Sequence, residues 1–224
     1  MDIYYLILVI PAFLFSLIAQ WSVQATFKKY SKVTTQRGVT GFDTARTILD
    51  ANGLQSIAIE HISGSLTDHY DPKAGVIRLS DATYSSTSVA ASGVAAHEAG
   101  HAVQYAVGYK PIKLRAAIIP VTNIGANLSW PAILLGLILS LDILITIGIL
   151  LFSFSVIFQL ITLPVEFNAS RRAVAVLDER DILFDDELGG AKKVLRAAAM
   201  TYVAALAVSI ANLLRLVLLF RRKN

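Results

Sequence analysis

Two histidines and a glutamate stand close together near the middle of the chain, in the run His97–Glu98–Ala99–Gly100–His101. Positions i and i+4 of a helix lie on one face, so two imidazoles with this spacing could bind the same tetrahedral zinc ion. Glu98 directly follows the first histidine, which places it to take a proton from a water molecule on that zinc. The run therefore predicts metal-dependent hydrolysis. The alternative is a pair of solvated histidines on an amphipathic helix.

A catalytic zinc ion needs a third protein ligand and an open position for water. The chain has no cysteine, so a thiolate cannot supply that ligand. His61 and His69 precede the motif in predicted strand and turn context. Glu166 is the better candidate, because it is a carboxylate at the end of a long uncharged run, where an unpaired charge is costly. The alternative is that Glu166 stabilises the N-terminus of a helix.

The composition indicates a membrane protein. Of the 224 residues, 55% are hydrophobic and only 16% are charged, and the apolar residues fall in long runs. The formal charge of +4 is modest. Nucleic-acid binding is not expected, because there is no basic stripe interleaved with aromatic residues.

Apolar runs long enough to span a bilayer must position the motif. The first begins at Ile3, continues to Phe27, and is expected to be an uncleaved anchor, because it has no basic n-region and no Ala-x-Ala-type site follows it. The uncharged runs 116–141 and 143–165 predict a transmembrane hairpin with a short turn. The last run, 197–220, either crosses the membrane or lies partly in the catalytic domain or along the interface.

The hairpin and the basic residues predict which side of the membrane carries the site. Two spans separate His101 from Glu166, so both are expected on one face. By the positive-inside rule, lysines and arginines after the first run and around residues 171–196 place that face in the cytoplasm. The chain is thus expected to be a multi-pass protein of the cell membrane, in contact with the lipid bilayer.

The more polar part of the chain, from about residue 30 to 115, predicts a small water-exposed domain. A short helix is expected over 44–52, and strands over 57–62, 65–70 and 76–80, the last two forming a hairpin around a Pro/Gly turn. A helix that carries the histidines is expected from about residue 86 or 87 to 107.

The fold class that follows is a mainly α membrane protein: a transmembrane helix bundle with a small α+β zincin-like domain. Five segments are expected: an anchor (1–27), the zincin-like domain (28–115), the hairpin (116–165), a third-ligand helix with a cytoplasmic segment (166–196), and a C-terminal apolar helix with a basic tail (197–224).

The HEAGH run, followed far downstream by Glu166 on a second helix, resembles the gluzincin metallopeptidases. More closely, the chain resembles the bacterial membrane-bound zinc metallopeptidases of the YugP-like family, in stretches spread over most of its length: 66–72, 88–104, 162–170 and 201–204. With His97, His101 and Glu166 as ligands, one zinc ion per chain is expected, and the resemblance implies a zinc-dependent membrane peptidase. It also implies protein or peptide substrates, which we expect to be membrane-associated or unfolded proteins.

The resemblance also implies other roles. HtpX-like relatives usually carry an aspartate four residues after the ligand glutamate, where it orients a zinc-bound histidine; here Ser170 offers a weaker, neutral partner. In gluzincins an edge strand pairs with the substrate, a role expected of strand 76–80 unless it is an ordinary hairpin strand. Independently of the resemblance, peptide-bond hydrolysis needs a group that stabilises the oxyanion. Tyr202 and Arg172 are the leading candidates, with Arg171 and His69 behind them, unless these residues are structural.

Two other functions are possible for such a chain. One is a catalytically silent metal-binding scaffold subunit of a membrane complex, against which the intact Glu98 argues. The other is a transporter or channel, which the near absence of ionisable residues in the hairpin disfavours.

Overall fold

The computed structural model describes residues 2–223 of the chain. It is mainly helical with a small three-stranded sheet, as the sequence predicts. The elements in chain order are a π-helical turn (Tyr5–Val9) leading into α1 (Ile10–Tyr30), α2 (Gly41–Ala51), β1 (Ala58–Ile62), β2 (His69–Asp71), β3 (Val76–Ser80), α3 (Val89–Ala106), α4 (Lys110–Ile138), α5 (Asp142–Glu179) and α6 (Asp185–Lys223).

The chain folds into two compact units, each built from separate stretches of sequence. One contains Met1–Gln20, Lys110–Pro164 and Met200–Asn224, and the other contains Trp21–Tyr109 and Val165–Ala199. Helices α5 and α6 run without a break across residues 166 and 197, where the sequence suggested boundaries. The five-segment division therefore stays a prediction.

Within residues 2–223, four helices are long and apolar enough to cross a membrane: Tyr5–Tyr30, Lys110–Ile138, Asp142–Glu179 and Asp185–Arg221. The last includes the apolar run whose course the sequence left open. Its length of 37 residues exceeds the roughly 20 that a bilayer requires.

In the first unit, the predicted hairpin of α4 and α5 has glycines where the two helices make contact. A Cβ atom on Gly148 would lie 2.5 Å from Cγ1 of Ile133, and one on Gly125 would lie 2.7 Å from the carbonyl oxygen of Leu151. Contacts this short leave no room for a side chain, so the two backbones approach closely, as is common between membrane helices.

An ion pair joins the start of the chain to α6 within the same unit. Nη2 of Arg215 lies 2.7 Å from Oδ2 of Asp2, and the guanidinium also lies over the ring of Tyr5. Hydrogen bonding to Arg215 lowers the pKa of Asp2 to about 2. The last third of α6 is therefore fixed beside the beginning of the chain.

In the second unit, the strand order β1–β3–β2 corrects one expectation from the sequence. The predicted hairpin of β2 and β3 is present and antiparallel, but β3 also pairs with β1 in parallel. Strand β3 is therefore the central strand and not an edge strand, because both of its sides are hydrogen-bonded. Strands β1 and β2 form the edges of the sheet.

Helix α3 carries the HEAGH run through the core of this unit. It begins after Ser88, whose hydroxyl accepts a hydrogen bond from the N–H of Ala91 at 3.2 Å, and it ends before Gly108, which has a φ of +66°. A Cβ atom on Gly100 would lie 3.0 Å from the carbonyl oxygen of Ala169. The small residue at position 100 thus lets α5 lie directly against α3, which brings Glu166 close to the histidines.

Candidate metal centre

The two histidines of α3 and Glu166 of α5 converge on one point. One donor atom from each of the three side chains lies within 4.8 Å of the others. Oε2 of Glu166 is 3.2 Å from Nε2 of His97 and 3.6 Å from Nε2 of His101. In a tetrahedral zinc site with bonds of about 2.0–2.1 Å, ligand atoms lie about 3.3–3.4 Å apart. The donor types and their spacing therefore fit a zinc ion.

Glu166 lies in the interior of α5 and is 1% exposed. The helix begins at Asp142, far upstream, so Glu166 does not sit at a helix N-terminus. This excludes the alternative that the carboxylate stabilises the start of a helix. A buried carboxylate beside two imidazoles is the arrangement expected of a ligand set.

His97 has a second partner on α5. Its Nδ1 lies 3.2 Å from the hydroxyl oxygen of Ser170. This is the neutral contact that the sequence suggested for the position where HtpX-like relatives carry an aspartate. Since a hydroxyl can donate or accept, Ser170 does not by itself fix which nitrogen of His97 carries the proton.

The partner of His101 was not predicted. Nδ1 of His101 lies 3.0 Å from Oε1 of Gln104, and Nε2 of Gln104 donates to the carbonyl of Val165 at 2.9 Å and to Oδ1 of Asn168 at 3.0 Å. One signal was available: Gln104 follows His101 by three residues, which places both on the same face of α3.

Glu98, also on α3, lies next to the two histidines and Glu166 and is 9% exposed. Its Oε2 accepts a hydrogen bond from the backbone N–H of Tyr70 at 3.0 Å. Burial raises the pKa of Glu98, and the neighbouring histidines oppose that shift only in part. A carboxylate with a raised pKa is a stronger proton acceptor than an exposed one.

The pKa of His101 also reflects its buried position. Burial lowers it, but hydrogen bonding to Glu166 and the nearby carboxylate of Glu98 outweigh that effect, so that the net shift is upward. The carboxylates of Glu166 and Glu98 therefore favour the protonated form of this imidazole.

The candidates for oxyanion stabilisation lie in different places. The Nε of Arg172 donates to Oδ1 of Asn168 at 2.9 Å, and Arg172 lines a pocket of about 200 Å³ together with Ala96 and Gly100. Those two positions lie on the side of α3 away from Glu98. The role of Arg172 in stabilising an oxyanion stays a prediction.

The other three candidates lie on β2, α5 and α6. Tyr202 is a partly buried residue of α6 in the first unit. His69 is exposed on β2, with Nδ1 2.9 Å from the carbonyl oxygen of Thr67, and Arg171 is exposed on α5. Their part in stabilising an oxyanion stays a prediction.

Comparison with known proteins agrees with this geometry. The model of a family described as "Putative neutral zinc metallopeptidase" matches residues 5–221. The chain belongs to this zinc metallopeptidase family. A relative from Bacillus subtilis (strain 168), described as "Putative membrane protease YugP", is 47% identical over 216 residues, which cover 96% of each chain. No solved structure matches the chain.

Membership of the zinc metallopeptidase family confirms the resemblance inferred from the sequence. It also agrees with a His–His–Glu group that could hold a metal ion and with four apolar helices that could cross a membrane. The relation to the HtpX-like peptidases stays a prediction.

Proposed function

We propose that the protein is a zinc-dependent endopeptidase of the cell membrane that hydrolyses peptide bonds in membrane-associated or unfolded proteins. The observation that carries the proposal is the spacing of 3.2 and 3.6 Å between one oxygen of Glu166 and the two imidazole nitrogens, with Glu98 next to them. The proposed site holds one zinc ion per chain, bound by His97, His101 and Glu166, which makes it a gluzincin-type site.

When bound, zinc supplies Lewis acidity, which polarises the scissile carbonyl and makes a water molecule more acidic. The rest of the chemistry falls to the protein. Glu98 accepts the proton of the attacking water and later passes it to the leaving amine. Because the N–H of Tyr70 occupies Oε2 of Glu98, the other carboxylate oxygen is the proposed proton acceptor.

The outer edge of β2 is the proposed place for the substrate backbone. Strand β2 is an edge of the sheet, and its Tyr70 directs its N–H toward Glu98 and away from β3. An extended peptide added at this edge would lie alongside the proposed base. The role that the sequence suggested for β3 is therefore assigned to β2.

The site is proposed to face the cytoplasm. Four membrane crossings would leave α3 and the C-terminal half of α5 on one side, and that side would carry the lysines and arginines around residues 28–37, 110–115 and 171–196. The ion pair of Asp2 with Arg215 agrees with this topology, since both ends of the chain would then lie on the opposite side.

A comparison of the purified wild-type protein with Glu98→Gln in detergent tests the proposal. Both proteins should hold about one zinc ion, because Glu98 is not a proposed ligand. Cleavage of casein should fall by orders of magnitude in the variant, because its amide cannot accept the proton. Glu179→Gln, which changes an exposed glutamate at the end of α5, is the matched control and should cleave like the wild type.

A wild-type protein that binds zinc but does not cleave would instead support the alternative, a metal-binding scaffold subunit of a membrane complex. Equal cleavage by wild type and Glu98→Gln would refute the proposed role of Glu98.

A further inference from the structure

Gln104 is a fully buried amide between the two helices that carry the proposed ligands. It is 0% exposed, and its Oε1 lies 3.0 Å from Nδ1 of His101. Its Nε2 donates to the carbonyl of Val165 and to Oδ1 of Asn168, so both amide hydrogens are used. Burying such a polar side chain is costly unless its groups are paired, as they are here.

The contact with Val165 determines which way the amide points. A backbone carbonyl can only accept a hydrogen bond, so the atom facing it must be the –NH₂ group of Gln104. The oxygen of Gln104 therefore faces His101. Because this oxygen can only accept, Nδ1 of His101 must carry the proton, which leaves Nε2 with its lone pair free to bind a metal.

The same amide also fixes α5. Val165 and Asn168 stand on either side of Glu166 in sequence, one residue before and two residues after it. Both accept hydrogen bonds from Gln104, so the turn of α5 that carries Glu166 is tied to α3 at the residue that orients His101. A second hydrogen bond fixes the side chain of Asn168, because its Oδ1 also accepts from Nε of Arg172 at 2.9 Å.

We propose that Gln104 is a positioning residue for the metal centre, with two linked tasks. It sets the tautomer of His101 that leaves Nε2 able to bind zinc, and it holds Glu166 of α5 at the correct distance from α3. The inference rests on the proposed function for the zinc-binding role of His101, but the contact between Oε1 of Gln104 and Nδ1 of His101 from which it is argued does not involve the metal.

Two substitutions separate these tasks from a general role in folding. Gln104→Met keeps the approximate size of the side chain and removes every hydrogen bond. Gln104→Glu keeps an acceptor for His101 and loses the paired donors to α5. Ser92→Ala is the matched control, because it removes a buried hydroxyl from α3 that contacts Thr44 at 3.3 Å and does not touch the ligands.

Zinc affinity is measured by chelator competition, with circular dichroism and gel filtration to confirm folding. Gln104→Met should bind zinc about 10- to 100-fold more weakly, the usual effect of losing the partner of a ligand histidine. Gln104→Glu should recover part of that loss, and Ser92→Ala should match the wild type. Equal losses in both Gln104 variants, or no loss in either, would overturn the proposal.

The tautomer is read by ¹⁵N NMR of the metal-free protein labelled at histidine, at a pH above the raised pKa of His101, where the imidazole carries a single proton. The chain has only four histidines, so the signal of His101 can be assigned by its absence in His101→Gln. The wild type and Gln104→Glu should both carry the His101 proton on Nδ1, whereas Gln104→Met should shift it toward Nε2.

An unchanged tautomer in folded Gln104→Met would overturn the proposal. If Gln104→Met does not fold, the other two proteins still test the proposal. A neutral His101 that carries its proton on Nε2 in the wild type or in Gln104→Glu would overturn it. A wild type that shows the Nδ1 tautomer but binds no zinc would refute the proposed function and leave the assignment of His101 standing.

Discussion

The backbone N–H of Tyr70, on the edge strand β2, donates a hydrogen bond of 3.0 Å to Oε2 of Glu98 on α3. The ring of Tyr70 packs against that of Tyr105 on the same helix, with centroids 5.8 Å apart. The sheet therefore meets the helix at the residue proposed to accept the proton. In the proposed mechanism, this hydrogen bond orients the base, and the same strand offers the edge at which a substrate backbone would pair.

Removing this N–H should impair catalysis without removing zinc. Tyr70→Pro deletes the donor, and edge strands tolerate proline better than central strands do. A hydrogen bond to a charged group contributes about 1.5–3 kcal/mol, so kcat/KM should fall about 10- to 100-fold. Tyr70→Ala, which loses the ring but keeps the N–H, separates the two effects. Equal activity of the two variants would speak against the hydrogen bond.

Substitution of the proposed ligands should remove the metal. His97→Ala and His101→Ala should each lose most of the zinc found in the wild type, measured by atomic absorption after gel filtration. His61→Ala, which changes an exposed histidine paired with Asp81 away from the site, is the matched control and should keep it. Full zinc content in both ligand variants would disprove the assignment of the site.

Glu166 and Ser170 should differ in the size of their effects. Glu166→Gln should weaken zinc binding strongly, because a neutral amide is a poor replacement for an anionic oxygen. Ser170→Ala removes only a neutral contact of 3.2 Å with His97 and should cost much less. Affinities from chelator competition give the order. A larger loss in Ser170→Ala than in Glu166→Gln would be inconsistent with Glu166 as a ligand.

The close contact at Gly100 should be sensitive to a single methyl group. Gly100→Ala would place Cβ 3.0 Å from the carbonyl oxygen of Ala169, so α5 must shift by a few tenths of an ångström and carry Glu166 with it. We expect weaker zinc binding than in the wild type. Gly189→Ala in α6 is the control: its Cβ meets nothing within 4 Å, and alanine favours a helix over glycine by about 0.8–1.0 kcal/mol. It should leave zinc affinity unchanged and unfold no earlier on heating.

The proposed topology can be tested with single cysteines, since the chain has none of its own. Val107→Cys and Asp178→Cys, at exposed positions near the ends of α3 and α5, should react with an impermeant maleimide from one side of the membrane. Leu141→Cys, in the exposed turn of the hairpin, should react from the other side. Labelling of positions 107 and 178 from opposite sides would rule out Glu166 as a partner of the two histidines.

Much of this architecture could be predicted from local patterns. The apolar runs located three of the four helices that could cross a membrane and left the course of the fourth open, and the HEAGH spacing located one face of α3. The isolated charge of Glu166 stood out against its apolar surroundings. The pairing of β1 with β3 could not be predicted, because two strands that are separated by a third carry no local signal of their partnership. The expectation that β3 forms an edge was wrong for that reason.

The hydrogen-bond partners of Glu98 and His101 could not be predicted from the sequence either, because one is a backbone N–H and the other a neutral side chain. The N–H of Tyr70 is present in every non-proline residue, so nothing in the residue type points to its role. Gln104 has no charge and lies in a helix made mostly of small, apolar residues. An amide in such a helix is easily mistaken for an ordinary polar residue. Both contacts depend on how α3 packs against β2 and α5.

Helix α5 runs without a break past the residue proposed to bind zinc, so the distance along it follows from the number of residues. From Asp142 to Glu166 the helix advances about 36 Å at 1.5 Å per residue, a little more than the thickness of the hydrocarbon core of a bilayer. The proposed topology, with residue 142 at one membrane surface, needs about this length of helix for Glu166 to emerge at the other. For the proposed peptidase, that favours substrates whose peptide bonds lie close to the lipid over bonds far out in a folded domain.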